Sequence, residues 1–574
     1  MSTINRIADG VIWTVASKFL SAAYAFVAVP ILIGLYGKAD YGLIGLALSI
    51  NIYMTLLDLG FSNTNLRYFS NFLAKNDTGN VRRLFGTSIT FYGSIGIINA
   101  LVIFVISFFV DDIFQVTPEQ VVILRSLLYI IALNAIFNWY TSCFGQLIQG
   151  AEYVDFFSKI SFIGNLLNVV VLVFTLVFKF SIVEYYAGLV FLGLIYRTIL
   201  SIRKIKAIIP DISFRPHFDK DLFKETLPYS MNIFSVSLLT WGALQLQPIL
   251  LGIRCNSSEV TDYNIIFSIY SFLGFIGGSF NSAIFPSVTK AVALHNREVI
   301  ERVAYEGTKY LVIVISFVTF GYISVSPDVM HMYLGDSFMY LVPWMDFYFI
   351  NLLGSHNAGM SAIIYAGTDI RLITRYSAFS YITMVIVFWF LIPYYGARSI
   401  AISGTLCNVM QMSFYYFYYW PKKLQINARY IFFHDLLPFM MMGILVTCVL
   451  RMFTVSDSHL IQFLVKGTMF VIIFSSIVYV MIERKDREFF GWFVKEKLMR
   501  KVERGKWKEE SGKRKEESGK RKVESGKRKE ESGKWKEESG KRKVESGKWK
   551  EESGKRKVER GKWKEERGKW KKVK

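Results

Sequence analysis

The chain has 574 residues, of which 52% are hydrophobic and 16% aromatic, and its formal net charge is +22. Residues 505–574 alone hold 29 Lys and Arg against 15 Glu, so most of the positive charge belongs to this tail, and no nucleic-acid partner is predicted. Elsewhere, apolar runs long enough to cross a hydrocarbon core of about 30 Å follow one another, whereas a soluble protein builds one or two cores. The composition therefore predicts a polytopic membrane protein.

The apolar segments predict an all-α protein with about 14 transmembrane helices, or twelve if the last pair does not cross. The first segment is too long for the apolar region of a signal peptide, so we expect it to be retained. The predicted segments are 11–35, 41–60, 86–110, 121–149, 158–178, 182–201, 229–253, 262–288, 308–326, 341–366, 376–396, 398–420, 432–452 and 460–482.

The connections between these segments alternate in charge. Lys and Arg favour the cytoplasmic side of a membrane, and this bias sets the orientation of a polytopic protein. Both termini are therefore predicted to be cytoplasmic. The connections rich in Lys and Arg lie near 67–83, 203–224, 290–309, 371–375 and 422–429, whereas the intervening ones are short and poor in basic residues.

An internal repeat indicates two parallel halves. The stretch from Pro30 to Gly34, PILIG, matches PILLG from Pro248 to Gly252, and each is followed by a short polar loop and a tyrosine. Chance similarity between apolar helices is the alternative. Duplication predicts two six-helix lobes with the substrate between them, as in many transporters, and makes both prolines candidate bends. The predicted parts are 1–210 and 211–425 for the lobes, 426–484 for an additional helix pair, and 485–574 for the tail.

The tail consists of heptads such as GKWKEES and GKRKEES. Each heptad contains a glycine and lacks the apolar spacing of a coiled-coil seam, so its dense charge predicts disorder. Lys with interspersed Trp would suit anionic membrane lipids, and an expanded coding repeat without a dedicated role is the alternative.

No motif for a metal or cofactor is present. The four cysteines are far apart, no Cys/His cluster has ligand spacing, and the sequence GK[ST] of a P-loop is missing from the sequence. We therefore expect no cofactor and no metal, and energy for transport from an H+ or Na+ gradient is an open alternative.

Polar side chains at helical spacing inside apolar segments mark candidate positions along a transport path. Polar groups in lipid are costly and usually face a bundle interior or a water-filled cavity. Amides and aromatic rings suit carbohydrate, and a buried lysine would suit a phosphate. Hydrogen bonding between packed helices is the alternative explanation for each. The candidates are Lys18, Asn134, Asn138, Asn165, Trp241, Gln245, His356 and Asn357.

The second apolar segment ends in the sequence LLDLGFSNTNLRYFS, residues 56–70. Asp58 there is either an ion-coupling acid or part of a structural joint at the cytoplasmic mouth of the helix. The basic residues Arg67, Arg82 and Arg83 follow on the same predicted side, where they would pair with the acid. These four residues are the candidate inner gate.

This element, followed by KNDTGNVRRLF at 75–85, resembles the one that follows the second helix in oligosaccharide flippases of the multidrug/oligosaccharidyl-lipid/polysaccharide exporter superfamily, which are MATE-like. The likeness covers about residues 8–484 and is strongest to bacterial O-antigen and capsular repeat-unit translocases. It implies a pair of bundles that alternately opens to each side of the bacterial inner membrane. The sequences of this family diverge too far for the role of any residue to be transferred to this chain.

The resemblance implies a flippase, not an enzyme, that moves a polyprenyl-pyrophosphate-linked oligosaccharide from the cytoplasmic to the outer leaflet for lipopolysaccharide or other surface polysaccharide. A polysaccharide polymerase and a chain-length regulator would be partners. A cation-coupled multidrug antiporter of the same fold is the near alternative, although mid-membrane acids are scarce. A polytopic glycan polymerase or ligase is the other, although no large outward loop is present.

Overall fold

The computed structural model describes residues 3–366 and 371–484, with 487, 525, 528, 531–562 and 564 in the tail. The side chains of 3–12, 235–244 and 275–283, and of a few further residues in the helices, lie outside the description. The chain forms two compact units, Met1–Val478 and Tyr479–Lys574. The division of the first unit into two lobes and an additional helix pair stays a prediction.

The regular structure of the described residues is helical, apart from an isolated parallel bridge between Gln115 and Asn256. Ten helical stretches within those residues are long and apolar enough to cross a membrane, which confirms a polytopic all-α membrane protein. Each of the fourteen predicted segments lies on helix, and the number fourteen and the orientation stay predictions. The α-helices of eight residues or more before the tail are Thr3–Tyr36 (α1), Lys38–Met54 (α2), Phe61–Ala74 (α3), Thr78–Phe108 (α4), Pro118–Tyr140 (α5), Ser142–Gly150 (α6), Val154–Phe178 (α7), Ile182–Ile208 (α8), Lys220–Arg254 (α9), Ser257–Ala293 (α10), Thr308–Leu334 (α11), Val342–Phe349 (α12), Ala358–Ala366 (α13), Arg371–Tyr395 (α14), Ser399–Phe414 (α15), Leu437–Met452 (α16) and His459–Met481 (α17).

Local sequence explains where several of these helices begin and bend. Thr117 and Ser181 each open a helix with a capping box, in which the hydroxyl accepts from a backbone N–H and the side chain three residues later accepts in return. After α2, Leu59 and Gly60 have φ of 51° and 76°, and this left-handed pair separates α2 from α3. Pro30 and Pro248 lie inside the continuous helices α1 and α9, so their role as bends stays a prediction.

Two ion-pair clusters with buried carboxylates attach the last two helices to α11 and α12. Nη2 of Arg451 on α16 lies 2.5 Å from Oδ2 of Asp346 and 2.6 Å from the Ser326 hydroxyl. Asp328 on α11 accepts from His459 at 2.9 Å, and Lys466 on α17 lies 3.5 Å away from its other oxygen. Charges taken out of water need such partners, so these contacts fix the register of α16 and α17 on the bundle.

In the second unit, residues 531–562 form a helix in which every residue is exposed. The helix over 531–562 differs from the disorder predicted for 485–574, and most of the rest of that range lies outside the described residues. Ion pairs between residues four apart, such as Lys541 with Glu537 and Lys555 with Glu551, run along this helix, and its serines donate to carbonyls three residues earlier. Each such pair stabilises an isolated helix by about 0.2–0.5 kcal/mol. The sequence predicted disorder because the repeat has no apolar face to bury against another element.

Replacement of Asp346 by Ala should destabilise the first unit by on the order of 3 kcal/mol, because it leaves the Arg451 guanidinium without its carboxylate partner. The melting temperature of the detergent-purified protein measures the effect. Asp112→Ala, which removes an exposed acid, is the matched control. Equal melting temperatures for the two variants would contradict the structural role of the pair.

Candidate functional site

Two polar cavities lie inside the N-terminal part of the bundle, with volumes of about 450 Å³ and 340 Å³. Both are lined by Asn138 and Arg197, so the two cavities meet at this pair of side chains. All lining residues lie between 51 and 201, on α2, α3 and α5–α8. The amides that line one or both cavities are Asn51, Asn63, Asn134, Asn138, Gln146, Gln149, Asn165 and Asn168.

Arg197 is the charged side chain among the described residues that line these two cavities, and no carboxylate lines either one. It lies on α8 within an otherwise apolar stretch, and none of the described acidic residues lies close enough to form an ion pair with it. A guanidinium presents five N–H donors in a planar fork that matches a phosphate or carboxylate. The cavities therefore offer many neutral hydrogen-bonding groups and one cationic anchor.

Three of the predicted path residues fall in this region. Asn134 and Asn138 lie one turn apart on α5 and both line the larger cavity, together with Asn165 from α7. Asn165 also donates to the carbonyl of Ser17 at 2.9 Å and approaches its hydroxyl at 3.1 Å, so it joins α7 to α1 as well. The structure thus brings these residues together, and their part in transport stays a prediction.

Asp58 lies in a hydrogen-bond network beside the smaller cavity. Oδ1 of Asp58 accepts from the hydroxyls of Ser62 and Tyr92, each at 2.8 Å. The amide of Gln146 donates to the same two hydroxyls at 3.0 Å and accepts from Asn65 at 2.9 Å. The break at Leu59 and Gly60 places Asp58 where it can receive these bonds, so the carboxylate holds the start of α3 against α4 and α6.

The basic residues of the predicted inner gate have other partners. Arg83 lies 2.6 Å from Asp219, and Arg82 lies 3.4 Å from Asp211, so both attach the connection between α8 and α9 to α4. The backbone N–H of Leu222 and the Arg83 guanidinium hold the pKa of Asp219 below its usual range. We expected Asp58 to pair with its basic neighbours, and for Arg82 and Arg83 the structure shows otherwise. These two arginines pair with other carboxylates, and Oδ1 of Asp58 accepts from two hydroxyls instead.

Arg67 lies on α3, and its side chain is exposed. Its place on the amphipathic helix that follows the break keeps it on the same predicted side of the membrane as Arg82 and Arg83.

A third polar cavity, of about 470 Å³, lies in the C-terminal part of the bundle. Asn357 lines it, and no charged side chain does so among the described residues. Rings of Tyr270 and Tyr348 approach to 4.6 Å between centroids at its wall. The other tyrosine and amide side chains that line it are Tyr381, Tyr415, Asn351, Asn408 and Gln411.

His356 lines a neighbouring, mostly apolar cavity of about 650 Å³. Its Nδ1 is 2.6 Å from the Leu353 carbonyl oxygen, and its Nε2 is 2.6 Å from the Tyr416 hydroxyl. A carbonyl only accepts, so Nδ1 carries the proton, and in the neutral imidazole Nε2 accepts from Tyr416. Both ring nitrogens thus have partners within the protein, and the part of His356 in transport stays a prediction.

The remaining predicted path residues are Lys18, Gln245 and Trp241. Lys18 is an exposed residue of α1 and is not among the residues that line the cavities described above. Gln245 is half-buried on α9, and the side chain of Trp241 lies outside the described residues.

At the opposite end from Arg83, an ion pair with a buried carboxylate joins α2 to α10. Nζ of Lys38, at the start of α2, lies 2.8 and 2.9 Å from the two carboxylate oxygens of Asp262 on α10. Tyr340 donates to the same carboxylate at 2.5 Å, and its hydroxyl lies 2.7 Å from Lys38 Nζ. This Lys38–Asp262–Tyr340 cluster lies at the predicted outer end of the bundle.

The helices α2 and α10 approach closely at this end, where Gly42 faces the Ser257 backbone and Gly45 faces the Asn264 side chain. A Cβ atom added to Gly42 would lie 1.8 Å from the carbonyl oxygen of Ser257, and one added to Gly45 would lie 1.7 Å from Nδ2 of Asn264. The backbone of Gln115 also donates to the carbonyl of Gly252 at 2.9 Å. The predicted outer end is therefore closed in this structure.

The model of a known family, described as polysaccharide biosynthesis protein, matches residues 7–292 of the chain. The match covers 286 of the 574 residues, so this part of the chain is similar to the polysaccharide biosynthesis protein family. No curated protein matches the sequence significantly.

The chain has the same fold as several solved structures of a flippase and of transporters. A lipid II flippase MurJ in an inward closed conformation is 14% identical with a TM-score of 0.61, and the match covers 83% of this chain and 99% of that one. An inward-facing multidrug resistance MATE family transporter of the MOP superfamily is 12% identical with a TM-score of 0.58, covering 79% and 100%. The MATE multidrug transporter DinF-BH is 14% identical with a TM-score of 0.52, covering 72% and 96%.

Three charged residues escaped the sequence analysis. Arg197 stands in the sequence LIYRTIL, close to the basic connection after α8. Lys38 and Asp262 lie 224 residues apart, and each stands next to a polar loop. Arg197 was detectable as a lone cation within an apolar run, whereas the ion pair needed the tertiary structure.

Replacement of Gly42 by Ala should open the predicted outer end, because the added methyl group meets the Ser257 carbonyl. A cysteine placed at Asn264 in a cysteine-free background should then react faster with a membrane-impermeant maleimide applied to whole cells. Gly34→Ala is the matched control, since a Cβ there meets nothing within 4 Å. Equal labelling in both variants would show that this contact does not close the outer end.

Proposed function

We propose that the chain is a flippase that moves a polyprenyl-pyrophosphate-linked oligosaccharide repeat unit from the cytoplasmic to the outer leaflet of the bacterial inner membrane. The product would feed the assembly of O-antigen or another surface polysaccharide. The family supports this proposal, because its members serve polysaccharide biosynthesis by description. The fold supports a transport role rather than an enzymatic one, because the similar structures are a flippase and transporters.

The observation that carries the proposal is the lining of the N-terminal cavities. Sugar hydroxyls both donate and accept hydrogen bonds, and an amide side chain offers both a donor and an acceptor. The Arg197 guanidinium adds a cation without a described counter-ion, which matches a phosphate oxygen pair. A headgroup of sugars joined to a diphosphate thus finds partners for each of its chemical groups.

The same lining disfavours the alternative of a cation-coupled multidrug antiporter. A cationic drug in a low-dielectric cavity needs a carboxylate close by, and the described residues of the three polar cavities supply none. The fold is common to both functions, so the charge of the lining is what distinguishes them.

Alternating access would use the closed end described above. The Lys38–Asp262–Tyr340 cluster and the Gly42 contact seal the predicted outer end, and their separation would let the headgroup leave on that side. The lipid tail would remain among the membrane lipids while the headgroup crosses. Coupling to an H+ or Na+ gradient, and contacts with a polysaccharide polymerase and a chain-length regulator, belong to this proposal.

Deletion of the gene should abolish the surface polysaccharide and leave its lipid-linked repeat unit on the cytoplasmic face. Immunoblots of surface polymer, and accessibility of the lipid-linked sugar to a lectin in oriented membrane vesicles, measure the two effects. Re-expression of the full chain should restore both. Unchanged polymer in a strain without a second flippase would overturn the proposal.

Replacement of Arg197 by Gln should lower flipping at least about tenfold, since it removes the charge-assisted hydrogen bonds to phosphate while keeping an amide. Arg197→Lys should retain part of the activity, because an ammonium keeps the charge but not the planar fork. Lectin accessibility of the substrate in proteoliposomes measures the rate.

The matched control is Arg203→Gln, which changes an exposed arginine on the same helix that lines neither cavity. An Arg197→Gln protein that is as active as the Arg203→Gln protein would remove Arg197 from the substrate path.

A further inference from the structure

The three polar cavities contain very little charge for their size. Together they have a volume above 1000 Å³, and Arg197 is the charged group among the described residues that line them. The cavities are instead lined by carboxamides, hydroxyls and phenol rings. The composition of a binding surface mirrors the composition of its ligand, because each buried polar group needs a partner.

The neutral groups suit the neutral parts of a sugar. Eight amide side chains line the N-terminal cavities, and Asn351, Asn357, Asn408 and Gln411 line the C-terminal one. Each offers both donor and acceptor, as sugar hydroxyls and N-acetyl groups require. The tyrosine rings of the C-terminal cavity, such as Tyr270 and Tyr348, provide apolar faces for the C–H surfaces of pyranose rings.

A sugar with its own charge would lack a partner here. The diphosphate of a lipid-linked substrate would engage Arg197, the guanidinium that lines these three cavities. A further carboxylate, as in a uronic acid, would lose its hydration without gaining a cation, and burial of an unpaired charge is strongly unfavourable. A cationic amino sugar would be unpaired for the same reason, since no described carboxylate lines the cavities.

We infer that the oligosaccharide moved by this chain is uncharged apart from its phosphate groups, so that it consists of neutral hexoses, deoxyhexoses or N-acetylated sugars. This inference rests on the proposed function, and it narrows the substrate class of the same site. It makes the low charge of the cavities a determinant of specificity against acidic repeat units.

The test uses the full chain reconstituted in proteoliposomes with two probes. One is a polyprenyl-diphosphate trisaccharide of neutral hexoses, and the other is the same molecule with the terminal hexose replaced by its uronic acid. Periodate added outside reports the rate at which the sugar appears at the outer surface. The neutral probe should move at least about tenfold faster. Equal rates, or faster movement of the acidic probe, overturn the inference while leaving the flippase function intact. Movement of neither probe overturns the proposed function, and the inference with it.

A pair of variants tests the cause of the preference. Asn168→Lys adds a cation to the larger N-terminal cavity, and Asn168→Gln keeps that position neutral. If charge in the lining sets specificity, the lysine variant should narrow the difference between the probes at least about threefold, and the glutamine variant should retain it. A lysine variant with the parent's preference would refute charge matching even if it moves both probes more slowly.

Discussion

The close contact between α2 and α10 holds the N-terminal and C-terminal parts of the bundle together. Gly42 lies against the Ser257 backbone and Gly45 against the Asn264 side chain, and the Lys38–Asp262 pair lies at the same end. An ion pair in this position is stable only while both partners stay together, and water solvates the two charges once the helices separate. The ion pair therefore favours the arrangement in which α2 and α10 stay together.

In the cavities, some polar side chains hold helices together and also face the open space. Asn165 bonds to Ser17 and also borders open space, and Gln146 binds Tyr92 and Ser62 while lining the smaller cavity. The side chains that hold helices together are thus the same ones that face the cavity. Their orientation is fixed before any ligand arrives, and preorganised polar groups lose less entropy on binding than mobile ones.

Much of the fold followed from the sequence, because apolar runs of membrane length have few alternatives to a helix. The grouping of Asn134 with Asn138 was also predictable, since one helical turn separates them. The partners of Asp58 were not, because its hydroxyl donor Tyr92 lies 34 residues away on another helix. Loop charge suggested arginine partners instead. His356 was assigned to the transport path from its rarity in an apolar segment, and the hydroxyl of Tyr416 that satisfies it became visible only in three dimensions.

Arg197 stands where two cavities meet, and this position limits the number of molecules that the chain can carry. A second anionic headgroup in the adjoining cavity would compete for the same guanidinium and would repel the first across a short distance. For the proposed flippase, this position predicts one headgroup per cycle. The amount of polymer that a cell exports would then be set by how often the carrier turns over and not by how densely its cavities fill.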